Sequence, residues 1–177
     1  MGGRAMTASA SPKLAMRPYL PADAAVLAEI FRLSIEELTG DDYNEDQQRA
    51  WASLAADEEE FAAKLGKQLV LIAMIGGEPV GFAALEGTDH LDLLYVHPAI
   101  AGHGAGSMLC DAIEKLAAAR GAQKLIADVS DTAQEFFKKR GYEAQRRNTV
   151  ERDGEWIANT TMHKKLAPTL QTTGQPS

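Results

Sequence analysis

The spacing of apolar residues changes at Gln68. Upstream, Val26, Leu27, Ile30, Phe31 and Leu38 recur at helical intervals, which predicts an amphipathic helix over Pro21–Leu38 with a proline at its start. Gly40 and Asp41-Asp42 break it. A second helix is predicted over Asp46–Ala55, carrying Trp51 and Leu54. Asp57 opens a third, short helix with Glu58, Glu59 and Glu60 in its first turn, where carboxylates complement the helix dipole. Lys13–Arg17 reads as a strand ahead of all three, ended by Pro18. Downstream, Leu69–Ile75, a Gly76-Gly77 turn and Pro79–Leu85 read as a hairpin, followed by a third strand over Leu91–Val96 that Pro98 stops. A helix is predicted over Gly104–Arg120, with Gly121 closing it, then a strand over Lys124–Val129. Another helix runs from Asp131 or Thr132 to Arg140, ended by Gly141. The stretch Tyr142–Leu166 reads as a hairpin turning at Asp153-Gly154.

The order β-α-α-α-β-β-β-α-β-α-β-β predicts an α/β fold built on one mixed, mostly antiparallel sheet flanked by helices. Its parallel step is the strand–loop–helix–strand unit from Leu91 to Val129. One domain is expected over residues 13–167. The ends, 1–12 and 168–177, are rich in small and polar residues and are expected to be flexible.

Composition narrows the function. Of 177 residues, 45% are hydrophobic and 24% charged, as in an ordinary globular domain. The net charge of −7 argues against nucleic acid or an anionic membrane as partner, and no apolar run is long enough to span a bilayer. The single cysteine, Cys110, excludes an intrachain disulfide, and the expected setting is the cytoplasm. Cys110 falls in the apolar register of Leu109, Ile113 and Leu116, which makes it a core residue rather than a nucleophile. No His, Cys or Asp grouping has metal-ligand spacing, so no metal is expected.

The candidate chemistry lies at Ala101-Gly102-His103-Gly104-Ala105-Gly106-Ser107, between a strand and a helix. Glycines there let backbone N–H groups converge on an anion at the positive end of the helix, so a phosphate or pyrophosphate is the natural guest. A Walker loop is excluded because no Gly-Lys-Ser/Thr ends it. The spacing G-x-G-x-G, placed after three consecutive strands, is not the dinucleotide fingerprint either.

Leu94-Tyr95-Val96-His97-Pro98 followed by Gly102-x-Gly104-x-Gly106 resembles the coenzyme-binding motif of the GNAT N-acetyltransferase superfamily. Ala133-x-x-Phe136-Phe137-x-x-x-Gly141-Tyr142 is similar to the same family's later A-x-x-F-Y-x-x-x-G-F segment. Tyr43, Gln48–Trp51 and the sequence VERDGEWIANT ending at Thr160 resemble its YafP-like branch. The resemblance implies acetyl-CoA as cofactor, held by Leu94, Tyr95, Val96, the loop 101–107, Ser130, Ala133, Phe136 and Phe137. It implies a sheet splayed between strands 91–96 and 124–129, and transfer of an acetyl group to an amine of a small molecule or peptide. A homodimer could form through the late strands. This chain departs from the family's pattern at Ala101, where Arg or Gln is usual and His103 is a partial replacement, and at Ser130, often Asn. It departs also at Phe137, where the family's general acid is often Tyr. These departures leave open a module that binds acetyl-CoA without turning it over.

An amine nucleophile must lose a proton before attack. Strand alternation would put His90, Asp92, Leu94 and Val96 on one face, which makes Asp92 and His90 the base candidates. His90 has the better ordinary pKa, whereas Asp92 would need burial to raise it. Tyr43, Trp51 and Trp156 are candidates for the wall of an acceptor pocket.

Overall fold

The computed structural model describes residues 13–168. The expected flexible ends therefore lie outside the described residues, except for Pro168. Strand β1 (Leu14–Pro18) leads through a 3₁₀ turn at Pro21–Asp23 into helix α1 (Ala24–Leu38). Arg17 grips Asp23 through two 2.8 Å hydrogen bonds, which fixes that entry. Helices α2 (Glu45–Ala52) and α3 (Glu58–Gly66) follow, each with a side-chain cap: Asn44 accepts from the N–H of Gln47, and Asp57 from those of Glu59 and Glu60. Then come β2 (Leu69–Ile75), β3 (Glu78–Glu86), β4 (His90–Val96), α4 (Ala105–Ala119), β5 (Lys124–Ser130), α5 (Gln134–Lys139), β6 (Glu143–Arg152) and β7 (Glu155–Lys165).

The seven strands form one sheet in the order β1-β2-β3-β4-β5-β7-β6, and every neighbouring pair is antiparallel except β4–β5. This is the mixed, mostly antiparallel α/β arrangement expected. Each face of the sheet buries its own core. On one side α1 and α3 cover Ile72, Phe82, Ala84 and Leu93 with Leu27, Phe31, Phe61 and Leu65. On the other, α4 lays Leu109, Cys110 and Ile113 against Ala83, Leu85, Leu125 and Ala127.

Cys110 is fully buried, as its register predicts, and burial pushes its thiol up to about 11. Beside it Glu114 is a charged hub at the edge of the core. It accepts from Lys164 at 3.0 Å, from the Tyr142 hydroxyl at 2.9 Å and from Arg140 at 3.2 Å, which ties α4 to β7 and to the end of α5. No helix among the described residues is long and apolar enough to cross a membrane.

Candidate active site

The sheet opens where β4 and β5 meet. Their parallel ladder carries only His90↔Ile126 and Leu91↔Ala127, although β4 continues to Val96 and β5 to Ser130. A bulge lies at the point of divergence. Leu91 pairs with Leu85 and Leu93 with the adjacent Ala84, so Asp92 is an extra residue with no partner on β3. Past Leu91, the backbone edge of β4 that faces β5 is left without a strand partner and lines a cleft.

The bulge also corrects the side-chain alternation read from sequence. Leu91, Leu94 and Val96 pack toward α4, whereas Leu93 and Tyr95 pack toward α1 and α3. Asp92 does not share the face of Leu94 and Val96. Its carboxylate turns toward α3, where Oδ2 receives Lys64 Nζ at 2.8 Å and Gln68 Nε2 at 2.9 Å.

The glycine loop closes the other end of the cleft. A 3₁₀ turn at Pro98–Ile100 leaves β4, held by His97 Nδ1 accepting from the Ala99 N–H at 3.0 Å. Gly102 and Gly104 then adopt φ of +85° and +94°, a left-handed conformation that a side chain would strain. Gly104 stands at the N-cap of α4, and no side chain caps it. Among the described residues, the N–H groups of Gly102 and Gly104 through Ser107 have no protein acceptor. They form a set of unpaired donors at a positive helix end, which is what an anionic pyrophosphate requires. A Cβ on Gly106 would lie 3.5 Å from the Phe136 ring, so α4 and α5 approach closely there. His103 is exposed, its ring Nδ1 3.2 Å from the Ala101 carbonyl oxygen, and it does not line the cleft.

One cavity of about 720 Å³ runs from the loop residues Ala101, Gly102 and Gly104–Ser107 to Tyr43 and Trp51. Leu94, Tyr95, Val96, Ser130, Ala133, Phe136 and Phe137 form its middle. Ser130 Oγ accepts from the Ala133 N–H at 3.1 Å, which leaves its own proton free to donate. Phe137 stacks edge-on against Phe136 and Tyr142, at 5.2 and 5.0 Å between centroids, and brings no hydroxyl.

At the far end, the Tyr43 hydroxyl donates to the Ala158 carbonyl at 2.6 Å and accepts from the Asp131 N–H at 2.9 Å. Trp51 packs on Tyr43 with centroids 5.3 Å apart and donates through Nε1 to the Tyr95 hydroxyl at 3.2 Å. Trp156, expected in this wall, is 61% exposed and outside it. Strand pleat decides between neighbours here, and Ile157 turns inward against Tyr43.

Charge gathers where β4 begins. His90 Nδ1 lies 3.0 Å from Glu86 Oε1, and Nε2 is 4.0 Å from Asp128 Oδ2. One ligand atom from each of Glu86, His90 and Asp92 falls within 4.8 Å of the others, a grouping in space that sequence spacing did not announce. The ammonium of Lys64 supplies the positive charge beside it. Burial pushes the Asp92 carboxyl up, but Gln68, Lys64 and His90 together outweigh it and hold Asp92 below the usual carboxylate range. The upward shift expected of a buried Asp92 is therefore reversed by its partners. Lys64 and Gln68 belong to no motif and follow no periodicity, so nothing in the sequence pointed to them; Arg152, which lines the cavity, lies within the VERDGEWIANT stretch but is not singled out by it.

Comparison with known proteins matches these features to a family. An acetyltransferase (GNAT) domain model matches residues 39–166. An uncharacterized N-acetyltransferase of Escherichia coli K12, YafP, is 32% identical over 85% of this chain and 95% of its own. A crystal structure from Rhodopseudomonas palustris, described as a GCN5-related N-acetyltransferase (aminotransferase, class-II), is 62% identical, with a TM-score of 0.85 over 89% of this chain and 97% of that one. The PaiA N-acetyltransferase of Thermoplasma acidophilum, solved with coenzyme A, shares the fold at 19% identity and a TM-score of 0.71, over 86% of this chain and 99% of its own. The chain belongs to the GNAT acetyltransferase family, within which it resembles YafP.

Proposed function

We propose that this acetyltransferase draws acetyl-CoA into the β4–β5 cleft from the α4 side and acetylates a primary amine that enters from the α1–α2 side. The observation that carries the reading is the continuity of two features. The unpaired edge of β4 beyond Leu91 and the unpaired N–H groups at the start of α4 line one cavity. The fit is to a long ligand with an amide-bearing arm and a pyrophosphate, whose arm can hydrogen-bond along a strand edge while its phosphates sit on a helix end. Leu94, Tyr95 and Val96 would hold the arm, and Gly102 and Gly104–Ser107 the pyrophosphate. Bound there, acetyl-CoA supplies an acetyl group activated as a thioester, with a thiol as leaving group.

The residues of the chain handle two protons. A lysine-like amine, with an ordinary pKa of about 10.4, arrives protonated and must lose its proton. Asp92, ionised and at the cavity wall, attracts the ammonium. Asp92, His90 and exposed Glu86 form a path along which the proton leaves for solvent. At the other side of the cleft Ser130, not Phe137, offers a hydroxyl to the departing sulfur. The cytoplasm is the setting that a lone, buried, reduced cysteine favours.

Thiol release from acetyl-CoA with a panel of primary amines tests the reading. Release that depends on the amine and falls at least about 10²-fold in Asp92→Asn is expected. Absence of amine-dependent release across the panel would sink it.

A further inference from the structure

The α1–α2 end of the cavity holds one cationic side chain, Arg152 at the end of β6. Among the described residues, seven other arginines, at 17, 32, 49, 120, 140, 146 and 147, each have a hydrogen-bond partner. Arg152 has neither a hydrogen bond nor an ion pair, even though Glu155 stands opposite it on β7. A guanidinium carries five donors in a planar fork suited to a carboxylate.

Tyr95 adds a second donor. Its hydroxyl oxygen accepts from Trp51, while its own proton has no protein acceptor among the described residues. Burial holds that phenol above its usual range, so the proton stays on it. The acidic side chains of the cavity do not answer these donors. Asp92 Oδ2 is taken by Lys64 and Gln68, which leaves Oδ1 for an incoming ammonium, and Asp128 accepts from the Thr161 hydroxyl at 2.6 Å. Between donors and cleft the wall is largely apolar, formed by Tyr43, Trp51 and Ile157. This end of the cavity therefore presents a solvent-exposed guanidinium without a protein partner and a phenol proton without a protein acceptor, over an aromatic floor, in a chain whose net charge is −7.

We infer that the acceptor is an amine that also carries a carboxylate, set apart from the amine by an apolar body and bound by the Arg152 guanidinium and the Tyr95 hydroxyl. The inference rests on the reading that the amine enters at this end. A zwitterionic acceptor fits both poles: its ammonium is drawn to Asp92 and its carboxylate to Arg152.

The test compares 4-(aminomethyl)benzoate with 4-(aminomethyl)benzamide, which share a body and an amine and differ in the charge. Calorimetric titration of each is made with and without coenzyme A, for the wild type, Arg152→Met and Arg152→Lys. The carboxylate is expected to bind about tenfold or more tightly than the amide. Arg152→Met should level the pair, and Arg152→Lys should keep part of the preference. Equal affinities, tighter binding of the amide, no binding of either compound, or a preference that survives in Arg152→Met would overturn the inference. Thiol release separates this from the activity itself. Equal turnover of both compounds would leave the acetyltransferase reading intact and remove this one. Selective binding of the carboxylate without release of thiol would do the reverse.

Discussion

Lys64 Nζ stands 2.8 Å from Asp92 Oδ2 and anchors the bulged residue of β4 to the last turn of α3. The bulge opens the cleft, and the anchor, together with Gln68, offsets the burial of the carboxylate beside it. Asp92 is held ionised by partners on α3 and just beyond it, and a carboxylate so held must be unprotonated to draw a proton from an ammonium. Removing the cation should let burial act unopposed by Lys64. The acid limb of the kcat/KM–pH profile is therefore expected to move to higher pH in Lys64→Met. A limb that stays in place would show that Asp92 is not the group it reports.

The same interaction affects stability. Asp92 is lowered in the folded chain, so its contribution is complete above the unfolded carboxylate value of about 3.9 and is lost as pH falls through the lower folded value. Glu114 behaves alike: burial raises it, but Lys164, Tyr142 and Arg140 outweigh burial. Its contribution is complete above about 4.3 and is lost as pH falls through the lower folded value. Glu114→Gln is expected to cost about 1.5–3 kcal/mol at neutral pH, because it weakens the charged hydrogen bonds to Lys164, Tyr142 and Arg140, although Arg140 keeps Asp111 at 2.6 Å. Urea unfolding at pH 7 and at about pH 3 checks this, and the gap between wild type and variant should narrow at the lower pH.

Cys110 should be inert in the native state. Its thiol is fully buried and pushed up to about 11, so almost no thiolate is present at neutral pH. Iodoacetamide at pH 7.5 is expected to leave the folded protein unlabelled and to modify it once in denaturant. Prompt labelling of folded protein would contradict the packing of α4 on the sheet.

Much of the fold was legible because its signals are local. The boundaries Leu69–Ile75, the Gly76-Gly77 turn, the acidic start of α3 and the Asp153-Gly154 turn all depend on residues adjacent in sequence. Helix α5 was placed too early. It begins at Gln134 because Ser130 draws the Ala133 N–H into a turn, a competition between side chain and helix that periodicity does not express. The bulge escaped for a related reason. Alternation assumes one residue per pleat, and with a core on both faces of the sheet the run Leu91–Val96 carries no mark of the slip at Asp92, which puts Leu91 and Leu93 on opposite faces. The glycine loop could be found because its backbone demands are written as glycine. The partners of Asp92 and the isolation of Arg152 are products of long-range packing, and no spacing encodes them.

Ser130→Ala probes the second proton. If its hydroxyl serves the departing sulfur, kcat should fall by about tenfold or more with acetyl-CoA affinity kept. An unchanged kcat would transfer that role to water.

The central claim, that the glycine loop and the open edge of β4 form an acetyl-CoA site, is tested most directly by calorimetric titration of acetyl-CoA and coenzyme A. Gly104→Ala and Gly104→Glu accompany the wild type. Gly104 sits at φ +94° with its backbone among the unpaired donors, a conformation that costs alanine about 1–2 kcal/mol, so the loop of Gly104→Ala should relax away from it and binding should weaken as the donors lose their alignment. Glutamate should abolish it by adding negative charge where the pyrophosphate belongs. Binding by the wild type that is graded in this order, with circular dichroism unchanged, is the predicted result. No binding by the wild type, or equal binding by wild type and Gly104→Glu, would contradict the account.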